Sequence, residues 1–405
     1  MSRPSTENQG ALKDIRVIDF SHQAAGPWCT TLLGDMGADV WKIEKPGRGD
    51  SIRYARGADP KIGSYNFWGL NRNKLSVGID VKNPAGAKLA REMCLSADVV
   101  VENFRPGVME RLGLGYDDLR PENPRLVYAS ITAFGKVGPM AQSPGMDLIL
   151  QATGGMMGLS GFPGGPPVKA AGPVADISSG IYAAYAIALA LLHRTKSGRG
   201  QRIDLSMLDA VITLLADIST AYLNTGHAYE KFGNGHPDLV PYQAFEASDG
   251  YFIVACLTNA FFKRLCKAVG HEEWLDDPRF ASNAIRCQPE NREAIVGRLQ
   301  DIFRGGTCES WIRLCGEFDI PACRVNGLEE LFEMEQLKAT GSVAEWEHPT
   351  QGRFRTMNVP IQLSDTPGSL RIPPPALGEH TAEVLRALGK SEKEIAALRQ
   401  AGACA

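Results

Sequence analysis

Two short apolar runs, IRVIDF (15–20) and DVWKIE (39–44), flank the segment GPWCTTLLGDMGA, and this arrangement restricts the fold more than any other feature of the chain. Runs of this length and apolarity read as buried strands. The segment between them reads as a helix closed by Gly37. Strands that are apolar throughout need cover on both faces, which a parallel sheet flanked by helices supplies. The result is a βαβ unit with a right-handed crossover. The alternation continues downstream. NPAGAKLAREMCLSA (83–97) offers Asn83 as N-cap and Pro84 at the first helical position, with Leu89 and Met93 on one face. DVVVEN (98–103) and RLVYASIT (125–132) supply two more strands. The expected fold class is α/β, with a doubly wound, Rossmann-like large domain.

Beyond it, the run from Gly180 to Arg194 is apolar on all faces and reads as a helix buried within that domain. Its apolar core, IYAAYAIALALL (181–192), is short of the ~20 residues that span a bilayer. His193, Arg194, Lys196 and Gly198 supply the cations and glycine of a helix C-terminus. A second helix is expected at about 204–223. NTGHAYEKFGNGHPDLVP (224–241) reads as a linker. A smaller α/β domain follows at 242–330, with strands in YFIVACL and PACRV and helices near 260–269, 290–304 and 308–317. The expected division is therefore 1–223 for the large domain, 224–241 for the linker and 242–330 for the small domain. Residues 331–405 then form a Pro-rich crossing and a return to the large domain.

A net charge of −3 without any Lys/Arg run argues against a nucleic-acid partner. Nine cysteines without a C-x-x-C pair argue against a metal cluster or a disulfide framework, and fit reduced thiols in the cytoplasm. The polar start MSRPSTENQG lacks the apolar centre of a signal peptide, so no membrane association is expected. The first βα turn, DFSHQAAGPWC, lacks G-x-G-x-x-G, which removes the main support for a nicotinamide oxidoreductase. The P-loop, H-E-x-x-H and G-x-S-x-G patterns are absent as well.

One carboxylate stands out. Asp176, in GPVADISSGIYAAYA (172–186), has no His, Cys or second acid within ten residues on either side. Two roles are open to it: capping the helix that follows, or acting as a nucleophile. An ordinary aspartate, with a pKa of ~3.9, is ionised at neutral pH and needs no separate base. Its small neighbours leave room for a substrate carbonyl. Residue types alone do not choose between the roles.

From Leu12 to about Leu398 the chain resembles the family III coenzyme A transferases, the CaiB/BaiF type. The resemblance rests on ordered blocks: IRVIDFSHQAAGP, LLGDMGADVWKIEKPGRGD, NRNKLSVGID, VENFRPGVMERLGLGYDDL, SITAFGKVGP, GMDLILQATGG, RTKSGRGQRIDLSMLDA and PPPALGEHT. It implies that Asp176 is the catalytic nucleophile. Asp176 would take the acyl group of an acyl-CoA as an anhydride and then carry CoA as an aspartyl thioester to a carboxylic acid acceptor. Coenzyme A would be a substrate, with no tightly bound cofactor. By the same resemblance, His22, Gln23 and Ala24 lie near the pantetheine and thiol end, and Lys45 near the nucleotide end. Ile79, Lys82, Asn103, Phe104, Arg105 and Arg111 match CoA-lining positions.

Met146 stands in GMD where a racemase branch has the His of GHD, and it is counted with the lining of the acyl pocket. A 2-methylacyl-CoA racemase or epimerase is the alternative enzyme reading, disfavoured because a thioether cannot act as a base and α-proton exchange loses one of its two catalysts. A non-catalytic acyl-CoA-binding protein is the alternative from another class. VACLTNAFF (254–262) lacks the glycine run of formyl-CoA transferases. VPYQAFEASDGYFIV (240–254) and EHPTQG (347–352) resemble members that move CoA from succinyl-CoA to another dicarboxylate, for which Arg72 and Arg105 are candidate partners of the far carboxylate. The resemblance also implies an interlocked homodimer.

Overall fold

The computed structural model describes residues 8–55, 64–348 and 352–405, so residues 349–351 of the EHPTQG block lie outside the described residues. Six strands form one parallel sheet: β1 (Arg16–Asp19), β2 (Asp39–Glu44), β3 (Lys74–Gly78), β4 (Val99–Glu102), β5 (Val127–Thr132) and β6 (Arg202–Ser206). Their order is β3-β2-β1-β4-β5-β6. The helices that position the site in this part of the chain are α1 (Ala25–Asp35), α2 (Pro84–Leu95), α3 (Asp147–Thr153), α4 (Val174–Ser197) and α5 (Met207–Thr213).

Side chains alternate between the two faces of the sheet. Val17, Val40, Val99, Val101 and Val127 pack with Cys29 and Leu33 of α1, Ala183 and Ile187 of α4, and Val211 of α5. Ile18, Trp41, Val100 and Tyr128 pack with Leu89 and Met93 of α2. Helices thus cover both faces, and the sheet is doubly wound. Asn83 caps α2 as expected, its Oδ1 accepting from Ala85 N at 2.9 Å, with Pro84 in the first turn.

Three elements differ from the sequence expectation. Residues 202–206 form edge strand β6 rather than the start of a helix. Its exposed Arg202 and Asp204 pair with each other at 2.9 Å, and Ser206 then caps α5 by accepting from Asp209 N. Strand β3 went unanticipated because Lys74, fully buried, interrupts its apolar pattern. Finally, α4 starts at Val174 and is not buried all round. Ala175, Ser179, Gly180, Ala183, Ile187 and Ala190 face inward, whereas Ile181, Tyr185, Leu189 and Leu192 stand about half exposed on the other side. By length and composition this helix could cross a bilayer. Here it lies against the sheet, and Arg194 near its end donates to Asp98 Oδ1 at 2.9 Å. Gly198, at φ +71°, terminates it.

The chain divides into two compact units: Met1–Met156, Ala170–Ala216 and Gln336–Ala405 form one, and Met157–Lys169 with Asp217–Glu335 form the other. The divisions fall at 216 and 335 rather than 223 and 330, and residues 224–241 lie inside the second unit. That unit holds an antiparallel sheet of β7 (Tyr242–Ala247), β8 (Gly250–Ala255) and β9 (Ala322–Arg324), with helices α6 (Asn259–Ala268), α7 (Pro289–Phe303) and α8 (Cys308–Glu317). Phe245, Phe252 and Phe303 centre its core, Phe303 lying 5.0 Å from each of the other two rings. Arg286 is buried there, and among the described residues no carboxylate pairs with it. It donates to the carbonyls of Val240 and Phe280, each at 2.8 Å, and its guanidinium lies 4.0 Å above Phe262.

Back in the first unit, β10 (Val343–His348) and β11 (Gly352–Met357) pair antiparallel. Helices α9 (Thr381–Ala387) and α10 (Glu392–Gln400) bring Val384, Leu385 and Ile395 into the core on the α2 face of the sheet. The C-terminal segment therefore rejoins the sheet built by the N-terminal half.

Candidate active site

All six strands run the same way, so their C-terminal ends share one edge. The order reverses between β1 and β4, and loops leaving adjacent strands in opposite directions open a crevice there. Residues 20–24 and 103–105 border it. Asn103 clamps the first of these loops: its Oδ1 accepts from His22 N and its Nδ2 donates to His22 O, both at 2.8 Å. The Phe104 ring lies 5.4 Å from the His22 ring. Gly26 lets α1 begin close to β1, because a Cβ there would meet the Ser21 Cβ at 2.2 Å.

Gln23 is held at φ +65°, a costly conformation for a side chain with a Cβ. Its N–H lies 3.2 Å from both oxygens of Asp50, and its amide donates to Ser51 Oγ. Asp50 is buried and paired with Lys42 at 3.2 Å, and Lys42 also donates to Ser21 O at 2.8 Å. Burial opposes the charge on Asp50, but Lys42 and His22 outweigh it and hold the carboxyl below its usual range. Burial likewise opposes the Lys42 charge; Asp50, Asp19 and Glu44 more than reverse this. The turn at 21–24 thus rests on buried charges that are paired, the condition under which buried charges persist.

Cations stand along the same edge. Lys45 directly follows β2, Lys82 follows β3, and Arg105 and Arg111 follow β4; all four are exposed. Ala24, at the N-cap position of α1, is buried. Two expectations need correction. Ile79 is 1% exposed and packs in the core, so its side chain does not line a surface groove. Arg72 is engaged elsewhere: its Nε and Nη2 donate to Asp35 at 2.9 and 2.6 Å and its Nη1 donates to Met357 O at 3.1 Å, which leaves it 2% exposed. Of the two arginines considered for a distal carboxylate, only Arg105 is exposed.

Asp176 lies in the first turn of α4. Helix α4 leads the chain into β6, whose N-terminal end lies at the opposite edge of the sheet, so the first turn of α4 sits at the crevice edge. The packing agrees. A Cβ on Gly180 would come within 2.8 Å of Ala25 O and 3.1 Å of Cys29 N, so α4 touches the first turns of α1 through a residue without a side chain. Asp176, four residues earlier, shares that face.

The capping role falls to another residue. Asp147 Oδ1, at the start of α3, accepts from Ala175 N at 2.8 Å and from Asp176 N at 3.4 Å. Among the described residues, no group donates a hydrogen bond to the Asp176 carboxylate. Burial, and secondarily the Asp147 charge, push its pKa up to about 7. This differs from the sequence expectation of a fully ionised aspartate: near neutrality the group sits at its titration midpoint. Met146, beside Asp147, is 73% exposed. Asp147 escaped the sequence reading because a side chain that caps a helix distant in sequence leaves no local signal. Its neighbour in the GMD block was weighed instead.

The structure therefore gathers His22, Gln23, Ala24, Asn103, Phe104 and Arg105 at the crevice, and Asp176, Asp147 and Met146 at the helix starts on the same edge. The sequence pattern of CoA-transferase family III matches residues 12–381. The chain is 37% identical to a succinate–glutarate CoA-transferase of Agrobacterium fabrum, over 94% of this chain and 96% of that protein. It is 35% identical to a formyl-CoA:oxalate CoA-transferase of Afipia carboxidovorans, over 97% of each. A crystal structure of a CAIB/BAIF family protein from Brucella suis matches it with a TM-score of 0.83 at 35% identity, covering 94% of this chain and all of that one.

Proposed function

The chain belongs to CoA-transferase family III and is a CoA-transferase; we propose that it passes CoA from succinyl-CoA to a second dicarboxylate, with Asp176 as the nucleophile. One observation carries the reading. At the N-terminus of α4 the capping hydrogen bonds go to Asp147, which leaves the Asp176 carboxylate desolvated and without a donor among the described residues.

The steps balance without an outside reagent. An Asp176 oxygen attacks the thioester carbon, the C–S bond breaks and CoA leaves as thiolate, giving a mixed anhydride. The thiolate attacks the Asp176 acyl carbon of that anhydride, releasing the donor acid and leaving an aspartyl-CoA thioester. The acceptor carboxylate attacks this thioester, and the thiolate departs again. Attack by the thiolate on the acceptor's acyl carbon then forms the new acyl-CoA and restores Asp176. Each tetrahedral oxyanion needs fixed donors. Helix α1 begins at the crevice without a side-chain cap, so its first N–H groups suit that role.

Lys45, Lys82 and Arg111 suit the phosphates of CoA, while the His22 turn and Phe104 suit its pantetheine arm. Arg105 suits the far carboxylate of a dicarboxylate. VACLTNAFF (254–262) lacks the glycine run of formyl-CoA transferases, which supports a longer dicarboxylate over oxalate as acceptor. The half-exposed apolar face of α4 supports the interlocked homodimer. CoA exchanges as a substrate, and the nine free cysteines fit the cytoplasm.

The test is incubation with succinyl-CoA and a panel of carboxylic acids, with new thioesters identified by mass spectrometry. Glutaryl-CoA or a related dicarboxylyl-CoA is expected, and none with Asp176→Ala. Tight CoA binding by calorimetry with no new thioester would instead identify a non-catalytic acyl-CoA-binding protein.

A further inference from the structure

We propose that Gln151 is a positioning residue for the transfer reaction, tying the segment that enters α4 to Asp147 and thereby fixing the Asp176 carboxylate. The inference rests on the reading of Asp176 as nucleophile. Gln151 lies one turn after Asp147 in α3 and is fully buried. Its Nε2 donates to Asp147 Oδ2 at 2.6 Å, and its Oε1 accepts from Ala170 N at 2.9 Å. The other oxygen of Asp147 accepts from the backbone of Ala175 and Asp176. One carboxylate is thus divided between a side chain that orients it and the helix turn that carries the nucleophile.

An amide suits this place for a specific reason. It offers a donor to the carboxylate and an acceptor to the Ala170 N–H, from a single rigid group. Leucine would leave both partners without a hydrogen bond in a buried setting. Glutamate would turn a second acceptor toward Asp147. The Asp147 charge is one of the two causes that raise the Asp176 pKa. The charged groups on neighbouring elements are engaged otherwise. Asp35 of α1 is bound by Arg72, and Arg202 and Asp204 of β6 pair with each other. Tyr128 of β5 donates to Leu114 O, and Asp209 of α5 is exposed.

The test uses full-length Gln151→Leu and Gln151→Glu, with kcat, KM and the pH profile of kcat/KM measured for succinyl-CoA and glutarate. In the leucine variant Asp147 loses the group that orients it, and kcat should fall by about tenfold with KM little changed. In the glutamate variant the added charge should move the acid limb up by about half a pH unit. A residue that merely fills the core would lower the active fraction and leave the limb in place. An acid limb in the glutamate variant that coincides with the wild type overturns the proposal, as does an unchanged kcat in the leucine variant, and the glutamate variant alone decides if the leucine variant does not fold. Asp176→Asn, run alongside, separates the two readings: transfer surviving in it refutes the nucleophile assignment itself.

Discussion

Replacing Asp176 with asparagine should make the protein more stable, and only above acid pH. In the folded chain this carboxyl keeps its proton up to about pH 7, whereas an unperturbed carboxyl of its kind releases it near pH 3.8. Between those values the folded state binds more protons than the unfolded state. Stability therefore falls as pH rises through that window, and the full penalty is present above it. A displacement of about three pH units at ~1.4 kcal/mol each gives an upper bound of about 4 kcal/mol. The site opens to solvent on one side, which reduces the expectation to about 2 kcal/mol. Asparagine keeps the shape and is neutral throughout. Thermal unfolding of both proteins should give nearly equal midpoints at about pH 3, and a variant melting several degrees higher at pH 8. A melting gap that does not change with pH, or a variant that is less stable at pH 8, would refute the reasoning: the carboxylate would then be charged without cost, and its activation by desolvation would fall with it.

Other outcomes follow from the same geometry. Lys42→Met strands Asp50 as an unpaired buried charge, so it should lower stability by about 3–5 kcal/mol in denaturant titrations; adding Asp50→Asn should restore part of the loss. Lys45→Ala combined with Arg111→Ala should raise KM for acyl-CoA several-fold with kcat nearly unchanged, and the effect should shrink as salt rises. An unchanged KM at low salt would remove these cations from the CoA path. Leu192→Glu, on the half-exposed face of α4, should convert the proposed dimer to a monomer in sedimentation velocity; an unaltered sedimentation coefficient would count against α4 as a dimer interface.

Much of the large unit was legible because its strands are apolar runs bounded by helix signals. β1, β2, β4 and β5 lie within a residue or two of the expected segments, and Asn83 and Pro84 mark the start of α2. Where the reading failed, a tertiary partner had replaced the local signal. Lys74 breaks the apolar pattern of β3 because its ammonium is bound by Asp19, the carbonyls of Pro27 and Leu70, and Asn71. β6 carries polar residues because it is an edge strand. α4 is apolar all round, yet only one side of it meets the sheet, so apolarity overstated its burial. The site divides the same way. The resemblance singled out Asp176, and the parallel order of strands explains why residues as far apart as His22 and Asn103 meet. The engaged state of Arg72, the inward turn of Ile79 and the capping by Asp147 depend on contacts distant in sequence, which no local pattern records.

The central claim is that one carboxylate holds the transferred group covalently. The direct measurement is to mix the enzyme with succinyl-CoA, quench with hydroxylamine or borohydride, and map the adduct by peptide mass spectrometry. The account predicts a modified peptide with the label on Asp176, absent from Asp176→Asn and from enzyme without thioester. Efficient turnover with no label at Asp176, or with the label on another residue, would contradict it.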